Sequence, residues 1–280
     1  MKVSVLGAGT MGHGIAQVCA QAGYEVRLHD VDEAALARAL ERIHASLGKL
    51  AAKGRVAPDS VGAIGARIRR TTDDRDALEG ADVVIEAAPE RLELKLELFR
   101  AIDRHAPEHA LLATNTSSIS ITEIAGITAR PEQVVGLHFF NPVPVMDLVE
   151  IIRGLRTGDG ALQRARTFVQ ALGKEAVVVR DWPGFATSRL GVALGAEAIR
   201  MLEQGVASAE DIDRAMELGY RHPMGPLKLT DLVGLDVRLA ILEHLHRELG
   251  EQFRPPALLR QLVRAGKLGR KTGEGFYTYG

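Results

Sequence analysis

Lys2-Val3-Ser4-Val5-Leu6-Gly7-Ala8-Gly9-Thr10-Met11-Gly12 is the stretch whose reading decides the fold. A β-branched run leads into Gly-x-Gly-x-x-Gly, and an apolar-periodic helix follows from about 12 to 22. In that context each glycine has a reason. Gly7 permits the tight turn, Gly9 lets the backbone approach a diphosphate, and Gly12 lets helix and strand pack closely. The helix N-terminus, entered through Thr10 and Met11, offers N–H groups and partial positive charge to an anion. The next strand, Glu25–His29, runs into Asp30, about twenty residues beyond the glycines. A carboxylate there accepts hydrogen bonds from two ribose hydroxyls and repels a 2′-phosphate. Asp32 adds a second acid and no Arg follows directly, so the expected cofactor is NAD rather than NADP. Asp30 also reads as a helix N-cap, a role that Asp32 fills better.

Working outward, short β-branched runs alternate with helical stretches. Val83–Glu86, Leu111–Ala113, Val134–Phe139, Leu148–Ile152 and Ala176–Val179 read as strands, with helices at about 90–104 and 160–172. This predicts an α/β fold, a Rossmann-type, doubly wound, mostly parallel sheet. Glu33 to about Gly65 breaks the alternation and reads as a helical pair inserted after the second strand. Past Asp181-Trp182-Pro183-Gly184 no convincing strand follows. Ser208 with Asp211 opens a short helix, and further helices are expected over Pro226–Glu248 and Pro255–Ala265. The expected domains are therefore 1–183, carrying the insertion near 33–65, and an all-α C-terminal domain, 184–280. Its apolar positions exceed what a small bundle buries, which predicts a homodimer through that domain.

Composition narrows the function classes. The 280 residues are 46% hydrophobic with a formal net charge of −1, too little basic excess to track a nucleic acid. Apolar runs are too short to span a membrane. Cys19, the one cysteine, reads as core filler and excludes an internal disulfide. Strand character from Lys2 onward predicts no leader and a cytoplasmic setting. No His/Cys cluster has metal-ligand spacing, so no metal is expected.

Two further stretches carry chemistry. Asn115-Thr116-Ser117-Ser118 follows the Leu111 strand, where strand ends border the ligand crevice of such a sheet. Hydroxyls there bond a substrate oxygen or only cap a turn. His138-Phe139-Phe140-Asn141-Pro142 follows the Val134 strand, and Glu150 lies twelve residues after His138. Oxidising a secondary alcohol by hydride loss needs a base for the hydroxyl proton, which suits a His held by a carboxylate. A structural His and a surface acid at a strand end are the alternatives.

Together with Pro183-Gly184-Phe185, Pro223-Met224-Gly225-Pro226 and Gly269-Arg270-Lys271-Thr272-Gly273-Glu274-Gly275-Phe276-Tyr277, these motifs resemble the L-3-hydroxyacyl-CoA dehydrogenases, including the 3-hydroxybutyryl-CoA enzymes. The resemblance spans nearly the whole chain in family order. It implies NAD-dependent oxidation of a (S)-3-hydroxyacyl-CoA to the 3-ketoacyl-CoA. His138 would be the general acid/base and Glu150 its orienting partner. Ser117 would bond the reacting oxygen and Asn141 would help position the site. Glu90 and Lys95 would join Asn115 at the cofactor, although on sequence alone they read as a solvated helix face. Ser46 and Lys53 match positions that meet the CoA portion. The family carries Asn-Arg where this chain has Ser188-Arg189, so Ser188 takes the place of an amide near the substrate carbonyl. Water filling the gap, a direct bond from Thr187 or Ser188, and a different acyl group are the three explanations. A dehydrogenase of a free 3-hydroxy acid or sugar acid and a non-catalytic NAD-binding protein are the competing functions.

Overall fold

A computed structural model describes Met1–Gly280, which divide into two compact units, Met1–Asp181 and Trp182–Gly280. No helix is long and apolar enough to cross a membrane.

The first unit is an eight-stranded sheet: β1 (Lys2–Leu6), β2 (Glu25–His29), β3 (Ile68–Thr71), β4 (Val83–Glu86), β5 (Leu111–Thr114), β6 (Val134–Phe139), β7 (Leu148–Arg153) and β8 (Glu175–Arg180). The order is β3-β2-β1-β4-β5-β6-β7-β8. All pairs are parallel except β6–β7. The crossovers are α1 (Gly12–Gln21), α2 (Glu33–Ala52) with α3 (Ser60–Ala66), α4 (Asp74–Leu78), α5 (Leu92–His105), α6 (Ile121–Gly126) and α7 (Asp159–Ala171). Every residue of β4, β5 and β6 is buried, as expected of strands covered on both faces. The chain winds outward from β1 to β3 and then returns to β4 beside β1. That reversal opens a crevice at the carboxyl ends of β1 and β4.

Two expectations change. The helical pair is not an insertion: α2 and α3 are the crossover to β3, a strand absent from the sequence reading. Its Arg69 and Arg70 are exposed and only Ile68 is buried, as befits an edge strand that charge protects from pairing. The helix expected from 90 begins at Leu92 and leaves Glu90 in the preceding loop.

The second unit is helical: α8 (Thr187–Glu203), α9 (Ala209–Gly219), α10 (Pro226–Val233), α11 (Leu235–Leu249) and α12 (Ala257–Arg264). Ser208 caps α9 by accepting from the Asp211 N–H at 3.1 Å. Two buried carboxylates organise the unit. Asp213 accepts from the N–H groups of Leu227 and Lys228 in the first turn of α10 and from the Tyr277 hydroxyl. Asp231 accepts from the N–H groups of Phe276 and Tyr277 and from the Tyr279 hydroxyl. A Cβ on Gly225 would stand 2.2 Å from Asp213 Cβ, and one on Gly275 would stand 2.1 Å from an Asp231 oxygen. These contacts explain why Pro223–Pro226 and Gly269–Tyr277 read as motifs: they close the helical unit around two acids.

Candidate functional site

The glycine turn occupies the crevice. Gly7 has φ of +108°, and a Cβ there would meet the Ala87 carbonyl oxygen at 2.6 Å. A Cβ on Gly12 would fall 1.7 Å from the Gly7 oxygen. Protein packing alone therefore demands both glycines. Gly9 differs: it lacks a positive φ and its Cβ would find nothing within 4 Å. Protein packing does not demand a glycine there, and the open space above it fits a diphosphate on the N-terminus of α1. Thr10 is exposed beside it and Met11 half-buried. Asp30 follows β2 and is fixed to the turn: Oδ2 accepts from Ala8 N–H at 2.8 Å and Oδ1 from Asp32 N–H at 3.1 Å. Asp32 caps α2 by accepting from Ala34 N–H. Asp32 is also paired with Arg38 at 3.1 Å, which leaves Asp30, beside the glycine turn, as the acid that fits an adenosine ribose and opposes a 2′-phosphate.

Beside the turn lies an ionic cluster that joins the expected Glu90 and Lys95 to Glu86, which the sequence did not single out. Glu86, the last residue of β4, is fully buried. It accepts from Lys95 Nζ at 2.7 and 3.0 Å, from the Thr114 hydroxyl at 2.6 Å and from Ala88 N–H at 2.7 Å. Lys95 is 1% exposed, which corrects its reading as a solvated helix face. One turn into α5, its ammonium reaches inward to Glu86, the Ala88 carbonyl and, at 3.4 Å, Glu90. Glu90 gathers the 116–118 loop. Its Oε1 accepts from the Thr116 hydroxyl (2.6 Å) and from the N–H and hydroxyl of both Ser117 and Ser118. Burial opposes ionising Glu90, but the Lys95 charge, the Thr116 hydroxyl and the Ser117 N–H outweigh it and hold the carboxyl below its usual range. Cofactor strand and hydroxyl loop are one hydrogen-bonded body. The signal for Glu86 was an acid ending the apolar run Val83–Ile85.

The second centre lies on β6 and β7. Their antiparallel register sets His138 directly opposite Glu150, and His138 Nδ1 stands 2.8 Å from Glu150 Oε2. Glu150 is fully buried and His138 is 7% exposed. The Phe140 ring leans on the imidazole at 4.5 Å between centroids. Asn115, at the end of β5, accepts from Phe139 N–H at 2.9 Å and so joins the hydroxyl loop to the end of β6. Asn141 is exposed at the start of the β6–β7 loop. A buried carboxylate bonded to one imidazole nitrogen is the arrangement that orients a His for general base catalysis.

The remaining candidates lie elsewhere. Ser46 is half-buried on α2 and Lys53 is exposed at its C-terminal cap. Ser188 is half-buried in the first turn of α8, in the other unit.

Comparison with known proteins identifies both units. Residues 2–182 match the model of the 3-hydroxyacyl-CoA dehydrogenase NAD binding domain, and residues 184–279 match that of the 3-hydroxyacyl-CoA dehydrogenase C-terminal domain. A 3-hydroxybutyryl-CoA dehydrogenase of Clostridioides difficile is 43% identical, covering 100% of this chain and 99% of its own. One from Bradyrhizobium diazoefficiens is 44% identical over 99% of this chain and 95% of its own. The crystal structure of (S)-3-hydroxybutyryl-CoA dehydrogenase from Ralstonia eutropha superposes with a TM-score of 0.96 at 44% identity, covering 100% of this chain and 99% of that one.

Proposed function

From membership of the 3-hydroxyacyl-CoA dehydrogenase family, to which this chain belongs, we propose that His138 and Glu150 are the catalytic dyad of its active site. The protein is an NAD-dependent enzyme that oxidises 3-hydroxyacyl-CoA. The observation that carries the dyad is the 2.8 Å bond between a buried carboxylate and Nδ1 of a nearly buried imidazole. With Nδ1 directed at Glu150, Nε2 takes the substrate 3-hydroxyl proton, and Glu150 stabilises the imidazolium that forms. NAD, when bound, supplies the hydride acceptor. In the reverse direction the imidazolium returns the proton to the 3-keto oxygen.

Ser117 assists at the reacting oxygen. Its N–H holds Glu90 at 2.8 Å, whereas its hydroxyl is 3.2 Å away, so the hydroxyl is the weaker of the two bonds and can turn to substrate. Asn115 and Asn141 border the same edge of the sheet. Gly7, Gly9, Thr10, Met11, Gly12 and Asp30 hold the cofactor with Glu90, and the buried Lys95 supports Glu90 at 3.4 Å. Ser46 and Lys53 serve the CoA portion, Lys53 through charge on a phosphate. Ser188 stays a substrate-side candidate, a hydroxyl where the family carries an amide.

A short 3-hydroxyacyl group, as in 3-hydroxybutyryl-CoA, is the proposed substrate, since the relatives carry that name. A homodimer through the second unit is supported by exposed apolar side chains there: Leu190 is 71% exposed, Leu218 70% and Tyr220 76%. A cytoplasmic setting fits the bacterial relatives. The test is kcat/KM over 3-ketoacyl-CoA chain lengths with NADH and NADPH, with His138→Gln alongside. We expect a short-chain optimum with NADH, and loss of turnover in His138→Gln with NADH still bound. Normal turnover in that variant removes His138 from the mechanism.

A further inference from the structure

We propose that Lys174 is a positioning residue that ties the cofactor helix to the hairpin bearing His138, so that its ammonium sets the rate of hydride transfer without touching substrate or cofactor. Lys174 immediately precedes β8 and is 8% exposed. Its Nζ donates to the Val143 carbonyl at 2.7 Å and to the Met146 carbonyl at 2.6 Å. Both belong to the loop between β6 and β7, on which Pro142 also accepts from the N–H groups of Val145 and Met146. The next residue in the chain reinforces the hold: Glu175 N–H donates to the Asp147 carbonyl at 2.7 Å.

The opposite side of the loop packs on α1. Val143 is 2% exposed, and a Cβ on Gly14 would stand 2.9 Å from Val143 Cβ. Gly14 lies two residues past Gly12, in the first turn of the helix that begins the cofactor cradle. The loop is therefore clamped between α1 and Lys174. At its start stands Phe140, whose ring rests on the His138 imidazole.

The choice of residue carries the argument. Burying an ammonium costs free energy that an apolar side chain of the same length avoids. Burial does push the Lys174 pKa down, while Asp147 opposes the shift. Its two hydrogen bonds go to main-chain carbonyls of one loop, the groups whose position decides where the hairpin meets α1. Two charge-assisted bonds fix that backbone more tightly than packing alone.

The inference rests on the dyad reading for the identity of what is positioned, and the test separates the two. Lys174→Met keeps the apolar stem and removes the donor. Its single-turnover rate of NADH formation from NAD and 3-hydroxybutyryl-CoA should fall about 100-fold, the order expected of a roughly 1 Å misplacement. Its NADH dissociation constant, read by fluorescence, should change less than about threefold. In Lys174→Ala, added propylammonium should restore the rate about tenfold while leaving the parent enzyme unaffected, which general loss of stability does not predict. A parental rate in folded Lys174→Met overturns the proposal, as does a loss explained wholly by weaker NADH binding. Should that variant not fold, Lys174→Gln is read by the same criteria. With His138→Gln beside it, normal turnover there fails the dyad. An inactive His138→Gln with an unimpaired Lys174→Met fails the clamp alone.

Discussion

Glu86 and Glu150 are both fully buried carboxylates in one sheet, yet they are compensated in different ways. Glu86 faces the ammonium of Lys95, a fixed point charge that is itself 1% exposed. Glu150 faces an imidazole, which offers a compensating charge only when it holds a second proton. The first carboxylate is scaffolding, held by hydrogen bonds from Thr114, Ala88 and Lys95. In the proposed mechanism the second meets its counter-charge when the imidazole takes the substrate proton. Depth of burial thus says little about the role of an acid; the partner decides.

Substitutions that swap shape for charge test this contrast. Glu150→Gln keeps the volume and removes the charge, so the single-turnover rate should fall about 10³- to 10⁴-fold with the fold intact. A loss under tenfold would erase the distinction between the two acids. On the scaffolding side, Lys95→Met strands Glu86 without its cation and should cost about 3–5 kcal/mol in urea unfolding. The double variant Glu86→Met/Lys95→Met should lose clearly less; equal losses would mean that pairing is not what Lys95 contributes. The glycines repeat the contrast. Gly9→Ala should melt like the parent but bind NADH about tenfold more weakly, a difference of roughly 1.4 kcal/mol. Gly12→Ala should lose stability, because its Cβ lands on the Gly7 carbonyl.

The smallest effect concerns Glu90. Its folded-state pKa lies below the unfolded value, so its contribution to stability is complete above the unfolded pKa and is lost as pH falls through the folded one. Glu90→Gln should therefore melt a few degrees below the parent at pH 7, and the gap should close below about pH 4.3. A gap that does not narrow at all as the pH falls below about 4.3 would assign the loss to packing.

The cofactor end was legible in the sequence because its determinants are local. Gly7, Gly12 and Asp30 announce themselves by spacing within one βαβ unit. His138 and Glu150 were legible as a candidate base and acid with bland alternatives, and motif resemblance favoured their pairing, since the register that joins them depends on β7 running against β6. Glu86 stayed hidden, and Lys95 was named only through the resemblance with its burial unforeseen, because an acid ending a strand and a lysine on an amphipathic helix normally face water. Edge strand β3 was missed for a related reason: its two arginines dilute the apolar signal that marks β4 and β5. Lys174 carried no signal at all, because its partners are carbonyls and carbonyls leave no trace in composition.

Cross-strand register comes in whole residues. A slip of one would turn Glu150 to the far face of the sheet, with no intermediate in which the pair is partly made. The proposed dyad is therefore inherited as an all-or-none trait. Gradual drift in the surrounding core, methyl group by methyl group, leaves the opposition of residues 138 and 150 untouched, because it is written in peptide hydrogen bonds. A lineage can reshape the core around this pair, and with it the acyl group admitted, while the opposition of the two residues stays as it was.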